Sequence, residues 1–270
     1  MKTKYSPLTI KHFPDGDTYL KFNTSLKGQK LIIIQSFQPN PEKSLYNVIF
    51  AAKTAKDLGV KKIILVAPYL AFMRQDKRFN QGEAITSKIM AKLLNNSIDK
   101  IITIDPHLHR YHSLHDIFKI PVMKLSANQL IADYIKNNIK DAIVIGPDSE
   151  SEQWASVIAK KVGISSTVME KTRYSSRKVA VKMKKTIDFK NKNVVIVDDI
   201  ISTGNTIIEA AKKVKSAKSI TAIAVHGLFV EGITKLNKAG IKKIITTNTI
   251  DNKAGKIDVK ELLVNELKNN

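Results

Sequence analysis

The stretch 194–206 restricts the possible folds of this chain more than any other part of it. It begins with four β-branched apolar residues, which run directly into Asp198 and Asp199. A short polar turn comes next, and a helical pattern starts at Ile207. This order predicts a buried parallel strand, a loop at its carboxyl end and a helix. In open α/β sheets, ligands bind at that end of the strands.

The turn has the chemical groups that bind an anion. Ser202, Thr203 and Thr206 have hydroxyl groups, and Gly204 lets the backbone approach a ligand closely. The N–H groups at the helix start would face a phosphate, and the two acids would accept hydrogen bonds from sugar hydroxyls. The alternative is a strand that ends in a solvated turn with an ordinary helix cap. Two adjacent acids and a hydroxyl-rich turn are more than a cap requires.

Strand and helix patterns alternate through the first half of the chain. An apolar strand at 30–35 precedes a helix at 40–58, which begins with an Asn-Pro start signal, and a strand at 62–67 follows. A further helix is predicted at about 82–94 and a strand at 100–104. Such β-α-β alternation predicts a parallel, doubly wound sheet.

The pattern then starts again, with a strand at 142–148 that ends in an acid and a helix from about 149 to 161. A chain of 270 residues is long enough for two ordinary domains. Two halves of similar length suggest duplicated α/β domains, which we place at 1–125 and 126–270.

Composition excludes several classes of protein and site. The chain has no cysteine, which rules out disulfides and thiolate metal sites. No apolar run reaches the roughly 18 residues of a membrane span, and residues 1–7 lack the apolar core of a signal peptide. We therefore expect a cytoplasmic protein without a membrane partner.

The net charge of +21 raises nucleic acid as a partner, but its distribution argues against dedicated binding. Lysine is scattered along the whole chain, and no basic segment is interleaved with aromatic residues. Arginine, whose planar fork suits bidentate phosphate contact, is rare and falls in or beside predicted loops. The five arginines are Arg74, Arg78, Arg110, Arg173 and Arg177.

Four further polar segments interrupt the apolar pattern. A Pro-Asp-Gly turn at 13–17 joins two strands, and a charged loop at 74–78 follows a strand end. Four of the six histidines lie in 105–115, without the spacing of a helical metal-binding pair. The charged segment 168–179 lies between two short strands and predicts a mobile loop. Each segment alone could be a plain surface turn.

In this order, the segments resemble the ribose-phosphate pyrophosphokinase family. The loop 198–206 is similar to the ribose-phosphate loop of that family and of type I phosphoribosyltransferases, and it cannot separate the two. The Phe-Pro-Asp-Gly turn at 13–17 is similar to the ATP-binding loop of the pyrophosphokinases, and Pro-Tyr followed by Arg-Gln-Asp-Lys at 68–77 matches a second ATP-binding segment. Lys171 and Arg173, two residues apart, match the family's flexible catalytic loop.

The resemblance implies a fold of two tandem phosphoribosyltransferase type I-like domains, each a mainly parallel sheet flanked by helices. The N-terminal domain would bind ATP and the C-terminal domain ribose 5-phosphate. By resemblance, ATP would contact Phe13, Asp15, Gly16, Asp17, Arg74, Gln75 and Asp76. Ribose 5-phosphate would contact Arg173, Asp198, Asp199, Ser202, Thr203, Gly204, Asn205 and Thr206. Lys171 and Arg173 would be catalytic, and His107 and Asp148 would be associated with Mg²⁺.

The implied reaction moves the β,γ-pyrophosphoryl group of Mg-ATP to the C1 hydroxyl of ribose 5-phosphate, giving 5-phosphoribosyl 1-diphosphate and AMP. In the family, the turn equivalent to 13–17 reaches into a neighbouring subunit's site, which implies a homo-oligomer. The chain departs from the family at 149–150, where Ser-Glu replaces a frequent Gly-Gly, and at 202–203, where Ser-Thr replaces Asp-Thr.

Two other functions remain open from the sequence. A type I phosphoribosyltransferase consumes the same diphosphate, but it does not need the two ATP segments. A non-catalytic regulatory subunit would have an eroded catalytic loop, whereas Lys171 and Arg173 are present.

Overall fold

The computed structural model describes residues 4–173, 179–183 and 187–269, and for residues 170–182 it describes the backbone at most. The chain divides into two compact units. The first comprises Met1–Leu125 together with Asn265–Asn270, and the second comprises Ser126–Val264. The last six residues thus group with the first unit and not, as predicted, with the second half. Glu266 pairs there with Lys100 at 3.3 Å, and both side chains are only 12% exposed.

The first unit consists of a hairpin and a four-stranded parallel sheet in sequential order. The hairpin pairs β1 and β2 in antiparallel fashion. The elements of the first unit are β1 (Leu8–His12), β2 (Thr18–Phe22), β3 (Lys30–Ile34), α1 (Pro41–Asp57), β4 (Lys62–Ala67), α2 (Thr86–Asn95), β5 (Lys100–Ile104) and β6 (Val122–Leu125).

Helix α1 begins at Pro41 and its end is followed by Gly59 at φ +82°, as the sequence predicts. The predicted start of α2 at residue 82 is wrong, because the helix begins four residues later, at Thr86. The carboxylate of Glu83 accepts hydrogen bonds from Phe79 N–H at 2.7 Å and from Asn80 Nδ2 at 2.6 Å. These bonds stabilise a turn in the segment before the helix.

The second unit contains a seven-stranded sheet, in the order β13-β12-β11-β10-β7-β8-β9, in which only β9 is antiparallel. The confirmed architecture is α/β, with parallel strands joined through helices. The elements of the second unit are α3 (Asn128–Asn138), β7 (Ala142–Gly146), α4 (Glu152–Val162), β8 (Ser166–Arg173), β9 (Val179–Met183), β10 (Asn193–Ile201), α5 (Asn205–Lys213), β11 (Ser219–Gly227), α6 (Thr234–Lys238), β12 (Lys243–Thr247) and β13 (Gly255–Ile257). Helix α7 (Lys260–Lys268) begins in the second unit, and its last four residues group with the first.

The direction of chain connection reverses between β7 and β10. After β7 the chain crosses to β8 on one side, and after β10 it crosses to β11 on the other side. In parallel sheets such a reversal opens a crevice at the carboxyl ends of the two strands. The hydrophobic core beneath it includes Ile196 of β10, Ile207 of α5 and Leu236 of α6. The switch point thus lies directly above a packed core.

Two predicted loop boundaries are wrong. Asp198 and Asp199 lie within β10 and not after it, because β11 is long enough to pair with β10 as far as Ile201. The predicted mobile loop at 168–179 is strand as far as Arg173, since β8 pairs with β9 in antiparallel fashion. For residues 174–178 the prediction lies outside the described part of the chain. Within the described ranges, no helix is long and apolar enough to cross a membrane.

Candidate active site

Two acids stand at the carboxyl end of β10, on the switch point. Asp198 and Asp199 are both half-buried, and the Asp199 N–H donates to Asp198 Oδ1 at 3.0 Å. Burial, then the charge of Asp199 and then that of Asp148, raise the pKa of Asp198 well above its ordinary value. The three carboxylates therefore form a region of excess negative charge that a cation would stabilise.

The turn after β10 leads directly into the N-terminus of α5. Gly204 has φ +79°, and a Cβ placed there would lie 2.7 Å from Leu236 Cδ2, so both conformation and space require glycine. Gly204 occupies the N-cap position of α5 and has no side chain that could cap the helix. The Asn205 N–H donates a long hydrogen bond of 3.5 Å to Thr203 Oγ1. The positive end of the helix is thus available to an anion beside the hydroxyls of Ser202 and Thr206.

A second turn follows β7 on the other side of the crevice. Asp148 Oδ1 accepts from the Ser151 N–H at 3.1 Å, and Ser151 Oγ donates to the Asp148 carbonyl at 2.6 Å. Ser151 is buried, and a Cβ at Gly146 would lie 2.6 Å from its Oγ. The Ser-Glu pair that departs from the family pattern is therefore part of a closed, hydrogen-bonded turn that holds Asp148 near Asp198.

These acids fit a hard divalent cation in chemistry, since Mg²⁺ binds carboxylate oxygens and water. Among the residues that the structure describes, no group of three or more histidine, aspartate or glutamate side chains is already arranged around a metal position. The two residues predicted to bind metal belong to different units, His107 to the first and Asp148 to the second.

The predicted ATP-binding turn of the first unit is an exposed hairpin tip. Phe13 and Asp17 are joined by a backbone hydrogen bond of 2.8 Å, and Asp15 Oδ1 accepts from the Asp17 N–H at 3.1 Å. Gly16 has φ +95°, which suits glycine at this turn. The ring of Phe13 is 50% exposed and packs edge-on against Tyr19, with centroids 5.8 Å apart. An aromatic face and two carboxylates are therefore presented to solvent.

The second predicted ATP segment divides into exposed and buried residues. Arg74 is exposed and Gln75 is half-buried, but the Asp76 side chain is only 1% exposed and pairs with Arg110 Nη1 at 2.8 Å. Tyr111 Oη donates to the Asp76 carbonyl at 3.1 Å. Asp76 thus holds the loop in place from beneath, and its direct contact with ATP stays a prediction.

The backbone has a positive φ after β4 and again after β5, close to the residues predicted for the site. Phe72, two residues before Arg74, has φ +65°, and the buried Asp105, two residues before His107, has φ +37°. Such conformations cost energy in non-glycine residues and concentrate at functional sites. The half-buried His107 has its ring centroid 6.2 Å from that of His109.

Lys171 and Arg173 occupy alternate backbone positions of β8, opposite Val181 and Val179 of β9. Their side chains lie outside the described part of the chain, so their catalytic roles stay predictions.

The structure also reveals two residues that the sequence does not single out for this site. Arg110 is the ion-pair partner of Asp76. The only feature of the sequence that pointed to Arg110 was the small number of arginines in the chain. Lys235 of α6 donates to Asn205 Oδ1 at 2.6 Å, at the mouth of the turn after β10. Nothing in the sequence spacing connects residue 235 with residue 205, because the contact depends on how α6 packs against the turn.

The chain is similar to known proteins over most of its length. A family model described as the N-terminal domain of ribose phosphate pyrophosphokinase matches residues 1–97, and a phosphoribosyl transferase domain model matches residues 113–263. The ribose-phosphate pyrophosphokinase of Saccharolobus solfataricus is 36% identical over 246 residues, covering 89% of this chain and 84% of that protein. That of Pyrococcus furiosus is 32% identical, covering 98% of this chain and 94% of its own length.

A solved structure gives the same result at the level of the fold. The crystal structure of phosphoribosylpyrophosphate synthetase from Mycobacterium smegmatis superposes with a TM-score of 0.85 at 26% identity, covering 98% of this chain and 90% of that one. Similarity over nearly the whole chain and both family models agree. The chain belongs to the ribose-phosphate pyrophosphokinase family.

Proposed function

We propose that this protein transfers the β,γ-pyrophosphoryl group of ATP to the C1 hydroxyl of ribose 5-phosphate, giving 5-phosphoribosyl 1-diphosphate and AMP. The C1 oxygen forms a bond to the β-phosphorus, the bond between that phosphorus and the α,β-bridging oxygen breaks, and the hydroxyl proton is released. The observation that carries this proposal is that one chain combines the exposed turn at 13–17, which resembles an ATP-binding loop, with the acid pair of β10 before the N-terminus of α5.

The second unit is assigned to ribose 5-phosphate. The hydroxyls of Ser202, Thr203 and Thr206 and the N–H groups at the start of α5 bind the 5-phosphate. Asp198 and Asp199 accept hydrogen bonds from the sugar hydroxyls, which orients the ribose. Gly204 permits close approach, and Asn205 begins the helix that faces the phosphate.

The first unit is assigned to ATP. Phe13 stacks on the adenine, while Asp15 and Asp17 contact the nucleotide around the turn at Gly16. Arg74 and Gln75 bind the nucleotide from the loop after β4, and the buried Asp76 supports that loop. The turn at 13–17 serves the site of a neighbouring subunit, so the working form is a homo-oligomer in the cytoplasm. The exposed ring of Phe13 supports the assignment of this turn to a neighbouring subunit's site.

Catalysis is assigned to Lys171 and Arg173, whose charges stabilise the negative charge on the transferring phosphates. Arg173 also contacts ribose 5-phosphate. Mg²⁺, when bound, would supply positive charge that neutralises part of the charge of the phosphates. His107 of the first unit and Asp148 of the second unit would each be associated with Mg²⁺, and the raised pKa of Asp198 supports a need for positive charge beside the acids of the second unit.

The test is AMP formation from Mg-ATP in the presence of ribose 5-phosphate and the absence of any nucleobase. The proposal requires AMP that depends on ribose 5-phosphate, whereas a phosphoribosyltransferase or a non-catalytic subunit forms none. Lys171→Ala should lower kcat by at least roughly 10²-fold, the scale of removing one transition-state donor. Lys160→Ala, an exposed lysine on α4, is the matched control and should keep its turnover. A Lys171→Ala enzyme with wild-type turnover refutes the catalytic assignment.

A further inference from the structure

The turn after β10 has a charged neighbour with no role in the proposed reaction so far. Lys235 lies on α6, and its Nζ donates both to Asn205 Oδ1 and to Glu231 Oε2, each at 2.6 Å. Asn205 is the first residue of α5, where the N–H groups would face the 5-phosphate. The ammonium group is therefore one side chain away from the anion position.

The segment that contains Lys235 is packed firmly against this turn. The Val230 N–H donates to the Ser202 carbonyl at 3.1 Å, and the Leu228 and Phe229 N–H groups both donate to the Ile201 carbonyl. The next residue after Lys235, Leu236, is 1% exposed and fills the space that a side chain at Gly204 would need. Lys235 consequently has a fixed backbone position beside the turn.

The side chains of Lys235 and Glu231 remain accessible to a ligand. They are 37% and 46% exposed, and an ion pair at such exposure contributes little to stability. A phosphate with two negative charges, placed at a helix N-terminus, is a stronger partner for an ammonium group than one exposed carboxylate. Glu231 can thus be exchanged for the phosphate without a large cost.

We propose that Lys235 is a further ribose-5-phosphate-binding residue, which Glu231 holds in place before the substrate arrives and which then turns to the 5-phosphate. This inference rests on the proposed function, because it assigns a residue to the same substrate. It makes Glu231 a competitor of the substrate for Lys235. The two residues therefore have opposite effects on substrate binding, which a purely structural ion pair would not show.

The experiment compares Lys235→Ala, Lys235→Arg and Glu231→Gln with the wild-type chain, using KM for ribose 5-phosphate, KM for ATP and kcat. Lys235→Ala should raise KM for ribose 5-phosphate about tenfold, the scale of one hydrogen bond to a charged group. Lys235→Arg should restore most of the affinity. Glu231→Gln should lower the same KM about two- to threefold, because it releases the lysine from an exposed ion pair. KM for ATP should be unchanged in all three.

A binding readout independent of turnover uses ribose 5-phosphate and inorganic phosphate in calorimetric titration, with Lys213→Ala at the opposite end of α5 as the matched control. Wild-type chain that forms no AMP refutes the proposed function itself. If the wild-type enzyme is active but Lys235→Ala binds ribose 5-phosphate as tightly as Lys213→Ala, the inference about Lys235 is refuted. Equal weakening by Lys235→Ala and Glu231→Gln also refutes it, since that is the result of a structural ion pair.

Discussion

The ion pair between Asp76 and Arg110 gives a quantitative prediction about the first unit. The Asp76 side chain is 1% exposed, its Oδ1 lies 2.8 Å from Arg110 Nη1, and its Oδ2 has no hydrogen-bond partner among the described residues. Replacing Arg110 by methionine keeps much of the apolar side chain but leaves a buried carboxylate without its counter-charge. Removing one partner of a fully buried pair costs about 3–5 kcal/mol.

The expected cost here is smaller, because Arg110 is 36% exposed and water screens part of the interaction. We expect Arg110→Met to lower the free energy of unfolding by about 2–3 kcal/mol. In the double variant with Asp76→Asn, the amide has no charge to desolvate. The double variant should therefore be more stable than the sum of the two single changes predicts, by about 1–2 kcal/mol.

The assay is urea unfolding followed by far-UV circular dichroism, which reports both units, and by fluorescence. The single tryptophan, Trp154, lies on α4 of the second unit, so its emission reports that unit separately. Arg78→Met, an exposed arginine whose Nε donates to the Glu83 carbonyl, is the control and should cost less than about 1 kcal/mol. Additive single and double variants, or equal losses for Arg110→Met and Arg78→Met, would show that the pair does not stabilise the loop.

Two further substitutions test the second unit. Burial and neighbouring carboxylates raise the pKa of Asp198, so the folded protein keeps a proton that the unfolded chain releases. The contribution of Asp198 to stability therefore falls as pH rises from about 4 through the raised pKa. In metal-free buffer, Asp198→Asn should therefore have the higher Tm, by a margin that grows with pH; a constant or inverted margin contradicts this cause. Gly204→Ala should lose about 2–4 kcal/mol from its φ of +79° and its clash with Leu236. Gly163→Ala, with φ +81° and an open surrounding, should lose only about 1–2 kcal/mol, and equal losses would exclude the clash.

The acid pair and the glycine of this site have opposite relations to the stability of the fold. Asp198 is held beside Asp199 within a strand, where its charge is unfavourable in the folded protein. Gly204, by contrast, is required by both the backbone and the packing of Leu236. Strand β10 thus keeps the carboxylate of Asp198 in the position where, in the proposed function, sugar hydroxyls and a cation would stabilise it.

The sequence by itself determined the α/β class, the alternation of strands and helices in the first unit and the identity of the polar turns, but it predicted neither α3 nor β13. The class could be predicted because runs such as 194–197 are apolar on both faces, which only a buried parallel strand requires. Likewise, the start of α1 at Pro41 depends on local backbone geometry alone. The same local reasoning located the turn at 202–204, since a glycine directly after two hydroxyl residues favours a turn over a strand.

Only the tertiary structure decided how far the strands extend and which distant side chains meet. β10 continues through Asp198 and Asp199 because β11 pairs with it, and strand length depends on that partner. Asp76 is buried beneath its loop because Arg110 reaches it across 34 positions, a contact that the sequence pattern does not contain. Lys235 meets Asn205 because Leu236 packs under Gly204. Each of these contacts joins residues far apart in sequence, and local patterns contain no information about such pairs.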